Sequence, residues 1–342
     1  MSPIRSCCIY LASLIAVSCA SSTLAAEPKL IARPKLSGIL DTLSPDGVMA
    51  AGSDGSKIEI ANVETGEPIR TLPIPVELSD QGTTEIAFSR DGKRFAVYIS
   101  DPEMPRRSRI EIWDTNDWKS VRSIVSDRLP VYGKFTLSKD ASCVLVYQDY
   151  GGKIVSAWDV ASATVVGTIR RSDEVLNCFF MPDDDRIVVI GRDRKTLVKS
   201  ASLYAADKLE APLKSLLHYY DLSVCLAVRS AGPRVAFLSK VKPRKAKLEF
   251  IAFDKGEVEE RSFAVDHEIA QAWRLGVGMQ GDDVAIASYD RRTVYVYDVW
   301  KGTERFQIPV PDQAQHLMLN DQGTRLVISA THGHTVWDLT AP

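Results

Sequence analysis

Seven times along the chain the same order of segments returns: an apolar strand, a tight turn holding Asp or Gly, a strongly β-branched strand, a short loop, an alternating strand ending in an aromatic residue and Asp, and one strand more. The stretch RIEIWDTNDWKSVRSI, from Arg109 to Ile124, is the second half of one such unit, with its ending at Trp113-Asp114. The other endings are Ala61-Asn62, Trp158-Asp159, Tyr204-Ala205, Phe253-Asp254, Tyr297-Asp298 and Trp337-Asp338. Between position 61 and position 337 the interval averages about 46 residues, room for four strands, and no helical period of apolar residues competes with it. One such sheet cannot bury two apolar faces by itself, so the units must stack.

The turns after the first strands are Ser44-Pro45-Asp46-Gly47, Ser89-Arg90-Asp91-Gly92, Ser138-Lys139-Asp140-Ala141, Pro182 to Asp185, Ser230 to Gly232, Gly281 to Asp283 and Asp321 to Gly323, each a hairpin signal. The second strands VMAAGS, RFAVYIS, CVLVYQ, RIVVIG, RVAFLS, DVAIAS and RLVISA are near-continuous apolar runs, as expected of strands covered on both faces. The expected fold class is therefore all-β, a seven-bladed β-propeller with four strands per blade. Blade seven stops three strands in, at Trp337-Asp338-Leu339, while the segment Lys29 to Leu36 (KLIARPKL) stands unassigned before blade one and looks like other outer strands, such as TERFQI. The N-terminal strand is expected to close the last blade, a position where Pro34 is tolerated and where closure removes free sheet edges.

Over essentially everything after the first residues the chain resembles the WD40 family and its bacterial seven-bladed relatives. The family's Trp-Asp ending is matched at Trp113-Asp114, Trp158-Asp159 and Trp337-Asp338, changed to another aromatic at Tyr297-Asp298 and Phe253-Asp254, and lost in blades one and four. The Gly-His dipeptide that precedes each blade in that family is missing, so the hydrogen-bonded network it makes with the Trp and Asp is not expected. The resemblance implies a rigid platform for other macromolecules, although fold is a weak guide to function.

The N-terminus has a different character. Arg5 is followed by an uncharged, mostly apolar or small run from Ser6 to Ala26 before the first acidic residue, Glu27, which reads as a secretory signal. A cut after Ala25 satisfies the small-residue rule through Thr23 and Ala25; Ala16-Val17-Ser18-Cys19 also passes as a loose lipoprotein signal in which Cys19 carries lipid. An uncleaved anchor helix is a third reading, weakened by a short apolar stretch with many Ser and Cys. The expected organisation is a signal peptide over 1–25 and a single propeller domain over 26–342, located extracytoplasmically, in the periplasm or secreted, with membrane attachment only through lipid at Cys19. Removal of the signal leaves Cys143, Cys178 and Cys225, an odd and widely spaced trio in apolar runs, which reads as small buried hydrophobes with a Cys178 to Cys225 bridge as the lesser alternative.

Chemistry is thinly supplied. Of five histidines, His332 and His334 flank one glycine and are the best candidates for metal ligands, against the reading of an ordinary polar turn. His267-Glu268 begins like a zinc-protease helix but Gln271 stands where the second ligand is required. Nucleophile elbow, phosphate-binding loop and calcium loop are all absent from the sequence, and no cofactor is expected. The Asp that follows several second strands (Asp54, Asp101, Asp149, Asp193, Asp290) reads as a local acceptor of backbone N–H groups rather than a ring of cation ligands.

Lys and Arg total 42 against 44 Asp and Glu, a net charge of -2, so whole-chain nucleic-acid binding is not expected and only local patches carry information. In a propeller the loops between second and third strands share a face with the connections between blades. On that face fall Arg106, Arg107 and Arg109; Arg192, Arg194 and Lys195; Lys240, Lys242, Arg244, Lys245 and Lys247; and Arg291 and Arg292, with Tyr132, Tyr219, Tyr220 and Trp273 nearby. The opposite face collects Asp46, Asp91, Asp140, Asp183 to Asp185, Asp282, Asp283 and Asp321, together with Glu64, Glu67, Asp117 and Glu257. These placements point to a non-catalytic, monomeric interaction scaffold that holds a protein or an anionic envelope polymer on its basic loop face, SKVKPRKAKLE being its most basic segment. The alternative is a propeller enzyme or small-ligand binder, of hydrolase or lactonase type, with a site at the axial channel.

Overall fold

From Phe95 to Ser100 every residue of a second strand is buried. Ala96 and Tyr98 join Ile110, Ile112 and Ile124 of the same blade against Val144, Val146 and Trp158 of blade three. Phe95, Val97 and Ile99 point the other way and meet Ala51, Ile58 and Ile60 of blade one. One alternating strand thus feeds two cores, which is why its sequence reads as an unbroken apolar run. The same arrangement recurs between blades three and four (Leu145, Val155 and Ala157 against Val175, Ile187 and Val189), six and seven (Val294 and Val296 against Leu326 and Ile328), and seven and one (Val327 and Val336 against Leu40 and Ala50).

The computed structural model describes residues 27–342 apart from 37–38, 75–82, 102, 104–107, 149–150, 182–185, 197, 219–223, 230–232, 243–244, 254–256, 265–278, 281–282, 289, 299–300, 321 and 341–342; between 217 and 282 only Phe253 has a described side chain. Among the described residues lie seven four-stranded antiparallel sheets, each in the order of a meander except the last. That last sheet runs Lys29–Ala32, Gly333–Asp338, Arg325–Ala330, Ala314–Leu319, so the N-terminal strand supplies its outer edge as expected. First strands lie beside first strands: Ile39–Leu43 next to Thr83–Phe88 and Ala314–Leu319, and Gly133–Leu137 next to Thr83–Phe88 and Glu174–Phe180. They form the inner wall of a seven-bladed β-propeller.

The closing strand is shorter than the sequence suggested. Lys29 pairs with Asp338 and Leu30 with Trp337, and after a bulge Ala32 pairs with Val336. Pairing stops there, so Pro34 lies buried in the link to blade one and its missing N–H is not a matter for the sheet. The first turns are held by their own side chains: the Ser44 hydroxyl donates to Asp46 and accepts the Met49 N–H, and Ser89 with Asp91 and Ser138 with Asp140 repeat the pattern. Gly47 and Gly92 adopt the left-handed backbone this turn needs, at φ 75 and 73 degrees; Ala141 takes the same position in blade three at φ 56 degrees.

The Trp-Asp endings have a structural role without any Gly-His partner. Trp113 packs on Phe95, ring centroids 6.3 Å apart, beside Trp118. Asp114 is paired with Arg94 and Asp338 with Arg325, each directly opposite on the neighbouring strand. Cys178 is buried, and burial pushes its thiol well up, with Cys143 half-buried against the same core; the side chain of Cys225 lies outside the described residues. No helix among the described residues is long and apolar enough to cross a membrane.

Candidate functional site

First strands begin on the face that carries the blade-to-blade connections, so their opening residues surround the channel end on that face. Blade four places Glu174 there, 5 % exposed, as the first residue of Glu174–Phe180. Two arginines from the end of the second strand and the loop beyond it converge on this carboxylate. Nη2 of Arg192 lies 2.9 Å from Oε2, while Nε and Nη2 of Arg194 lie 3.3 Å from Oε2 and Oε1. Burial alone would push the Glu174 carboxyl up, but the two guanidiniums outweigh it and hold the group below its usual range, ionised. Arg194 reaches across to blade three, its Nη2 filling the space where a Cβ on Gly151 would stand.

Just before Glu174, a second ion pair locks the connection from blade three. Arg171, 8 % exposed, grips Asp173 through Nε and Nη2 at 2.6 and 2.9 Å and also reaches Ser200 at 2.6 Å and the Tyr204 hydroxyl at 3.3 Å. Ser200 in turn donates to Asp173 at 2.7 Å. Here too burial works against ionisation and the hydrogen-bonded cation prevails, leaving Asp173 below the ordinary carboxylate range.

A second polar group lines the inner wall of blades one to three. Lys134, second residue of Gly133–Leu137, forms an ion pair with Glu85 of Thr83–Phe88. Asp41, at the bulge of Ile39–Leu43, is pushed up to about 6: burial is the main cause, Glu85 adds to it, and the Ser53 N–H and Lys134 oppose it. Its side chain is nevertheless open to solvent. Nearby, Tyr132 holds a left-handed backbone at φ 53 degrees, 41 % exposed, its N–H donated to the Ser100 hydroxyl, and Gly133 follows because the Tyr98 ring leaves no room for a Cβ. Blade seven contributes His316, whose imidazole is held below its usual value by burial.

The residues proposed from sequence fare unequally. Arg192 and Arg194 come together, though on a shared carboxylate rather than free, and Lys195 is exposed beside them. Arg291 is half-buried, with its backbone engaged at both ends by Ser288 and Ala314, and Arg292 is exposed. Lys240, Lys242, Lys245 and Lys247, read as loop residues, lie instead on two long strands, Pro233–Lys242 and Lys245–Ala252, with Lys242 opposite Lys245; the alternating apolar residues of RVAFLSKVK and KAKLEFIA extend the pairing. Arg106, Arg107, Arg244, Tyr219, Tyr220 and Trp273 lie outside the described residues. The opposite face is less one-sidedly acidic than its turns suggest, because Arg94, Lys119, Lys301, Arg305 and Arg325 pair with Asp114, Asp117, Asp298, Asp283 and Asp338.

The two candidate metal ligands part company. His332 is exposed and stands 3.2 Å from Asp312, whereas His334 is buried with Nδ1 3.0 Å from the Ser329 hydroxyl. His332 sits in the turn before Gly333–Asp338 and only His334 belongs to the strand, and among the described residues no group of three His, Cys, Asp or Glu side chains is placed to hold a metal. Four of the recurring Asp residues behave as turn acceptors: Asp54 takes the N–H of Ser56 and Lys57, Asp193 those of Lys195 and Thr196, Asp101 that of Glu103 and Asp290 that of Arg292, while Asp149 lies outside the described residues.

Sequence reasoning missed Glu174, Asp173, Asp41, Glu85 and Lys134. The available signal was a charged residue near the start of a first strand (ILDTL, TTEIAF, GKFTL, EVLNCFF), where an apolar run is otherwise expected.

No family model and no curated protein matches the chain. Solved structures do. A chain in the crystal structure of the mitotic checkpoint complex aligns with a TM-score of 0.64 over 98 % of this chain and 99 % of that one, at 13 % sequence identity. The likeness shows the fold. With 1431 solved chains matching, the architecture is too widespread to carry a function with it, and the function has to be argued from the site.

Proposed function

We propose that the protein is a non-catalytic, extracytoplasmic interaction scaffold that binds an acidic or anionic macromolecule on the face formed by the blade connections and the loops between second and third strands. The observation that carries this reading is the outward, two-to-one arrangement of Arg192 and Arg194 on Glu174, with Lys195 exposed beside them. A carboxylate matched by two guanidiniums leaves a local positive excess, and fixed donors lose little freedom on meeting a ligand. The basic segment SKVKPRKAKLE of blade five is assigned to the same face from its place in the sequence. Rigid propeller sheets are suited to display such a surface, and the signal-like run Ser6 to Ala26 supports export.

Capture of a partner from an envelope fraction by the immobilised protein, followed by elution with rising salt, tests the proposal. The expected result is a discrete partner released by salt and no longer captured after charge reversal at Lys242, Arg244 and Lys245. Capture that is unaffected by both overturns it.

A further inference from the structure

We propose that Arg192 and Arg194, clamped by Glu174, form a preorganised receptor for an Asp or Glu carboxylate on a partner protein. The inference rests on the binding face proposed above and assigns to it one anchoring subsite and one ligand chemistry.

Free arginine side chains on a surface carry rotamer entropy that binding must overcome. Here that freedom is already restricted. Glu174 is 5 % exposed and fixed at the first position of an inner strand, so both guanidiniums are tied to the sheet rather than to a mobile loop. Arg194 is further located by Gly151, over which its Nη2 lies where no Cβ could be accommodated. It remains 65 % exposed, and with Nε and Nη2 turned to Glu174 its Nη1 makes no hydrogen bond among the described residues. Arg192, 37 % exposed, gives only Nη2 to Glu174, and its Nε is buried with no hydrogen-bond partner among the described residues. The buried Nε of Arg192 is out of a ligand's reach, and the donors left to one are at the exposed end of Arg194, Nη1 with the second N–H of Nη2, a parallel pair that the two oxygens of a planar carboxylate match.

The surroundings favour a single carboxylate over a dense polyanion. Asp173 and Asp193 flank the pair, and Asp41 and Glu85 lie on the same inner wall. Asp173 and Glu85 are already matched by Arg171 and Lys134, so the positive excess left beside the ionised Asp193 is small: one side chain of an acidic segment meets it, whereas an extended polyphosphate carries more charge than it can match.

The measurement is fluorescence anisotropy of a labelled hexaglutamate peptide with the purified protein at low salt, with thermal melts to confirm folding of each variant. Wild type is expected to bind, and Arg194→Ala and Arg194→Lys each to weaken binding about tenfold or more, the second because it keeps the charge but loses the fork. Glu174→Gln gives opposite signs for two physical pictures. A diffuse positive field binds the peptide more tightly when a negative charge is removed; a preorganised pair binds it more weakly. Tighter or unchanged binding by folded Glu174→Gln overturns the receptor, as does unchanged binding by folded Arg194→Ala. Binding that survives Arg194→Ala but vanishes on charge reversal at Lys242 and Lys245 overturns the receptor alone and leaves the binding face standing. Absence of binding by wild type overturns the receptor, and overturns the face as well if no partner is captured from the envelope. Tripolyphosphate competing better than hexaglutamate overturns the assignment to a protein carboxylate.

Discussion

A single aspartate shows how far a residue's chemistry depends on neighbours that its sequence position does not reveal. Asp41 is one polar letter in the strand ILDTL, yet its carboxyl is pushed up to about 6 by protein packed around it and by Glu85 across the blade junction. In the unfolded chain it ionises near 3.8. Between those values the folded chain keeps a proton that the unfolded chain releases, so this group's contribution to stability declines as pH rises through the window and is level above it. The Asp41 side chain is exposed to solvent, which screens it, so the effect is smaller than full burial would give. Asp41→Asn removes the titration. It is expected to equal wild type in stability near pH 4 and to exceed it near pH 8, measured by urea unfolding at both; a variant no more stable near pH 8 contradicts the crowded, like-charged surroundings described for Asp41.

At the scale of elements, the connection between blades three and four is where charge and topology meet. Arg171, 8 % exposed, depends on Asp173 for its balancing charge, and Asp173 fits only because Gly191 leaves room for its carboxylate. Asp173→Ala strands a buried guanidinium and is expected to cost about 3–5 kcal/mol in chemical denaturation, whereas the double change Arg171→Met with Asp173→Leu is expected to recover most of that loss. A small cost for Asp173→Ala would mean that the connection is held by its strands alone. Elements of this kind were legible in part. The strands were, because alternation and turn chemistry are local: RFAVYIS and Ser89-Arg90-Asp91-Gly92 say what they are without reference to anything distant. The ion clusters were not. Arg192 and Arg194 were visible as cations, but Glu174 lies 18 and 20 residues away in the chain, and only the pairing of Glu174 opposite Arg192 on neighbouring strands makes them one group. Blade five misled for the converse reason: its lysines are loop-like in composition, yet backbone pairing carries them on two long strands.

For the molecule as a whole, the feature that joins its ends is the one most exposed to test. The ring closes through four residues, Lys29–Ala32, the first described strand of the chain laid against the last. Its apolar side chain Ile31 packs on the cluster of Leu40, Ala50, Val63, Val327 and Val336, so the strand bridges blades seven and one as well as completing a sheet. Without it the backbone of Gly333–Asp338 becomes an open edge, and the Val327 and Val336 side of the core loses part of its cover. A chain beginning at Arg33 is expected to unfold at lower urea concentration and to self-associate in size-exclusion chromatography, through strand pairing at the new edge. Ile31→Asp separates the two contributions: it keeps the backbone pairing but places a charge against the cluster, and is expected to lower stability while the protein stays monomeric. A synthetic peptide spanning residues 27–34, added to the truncated chain, is expected to restore both monomer and stability, since an antiparallel strand of that sequence is what the edge is shaped to accept. Restoration by a peptide of the same composition in scrambled order would show that any strand serves, and would reduce the closing segment from a specific closure to a generic cover.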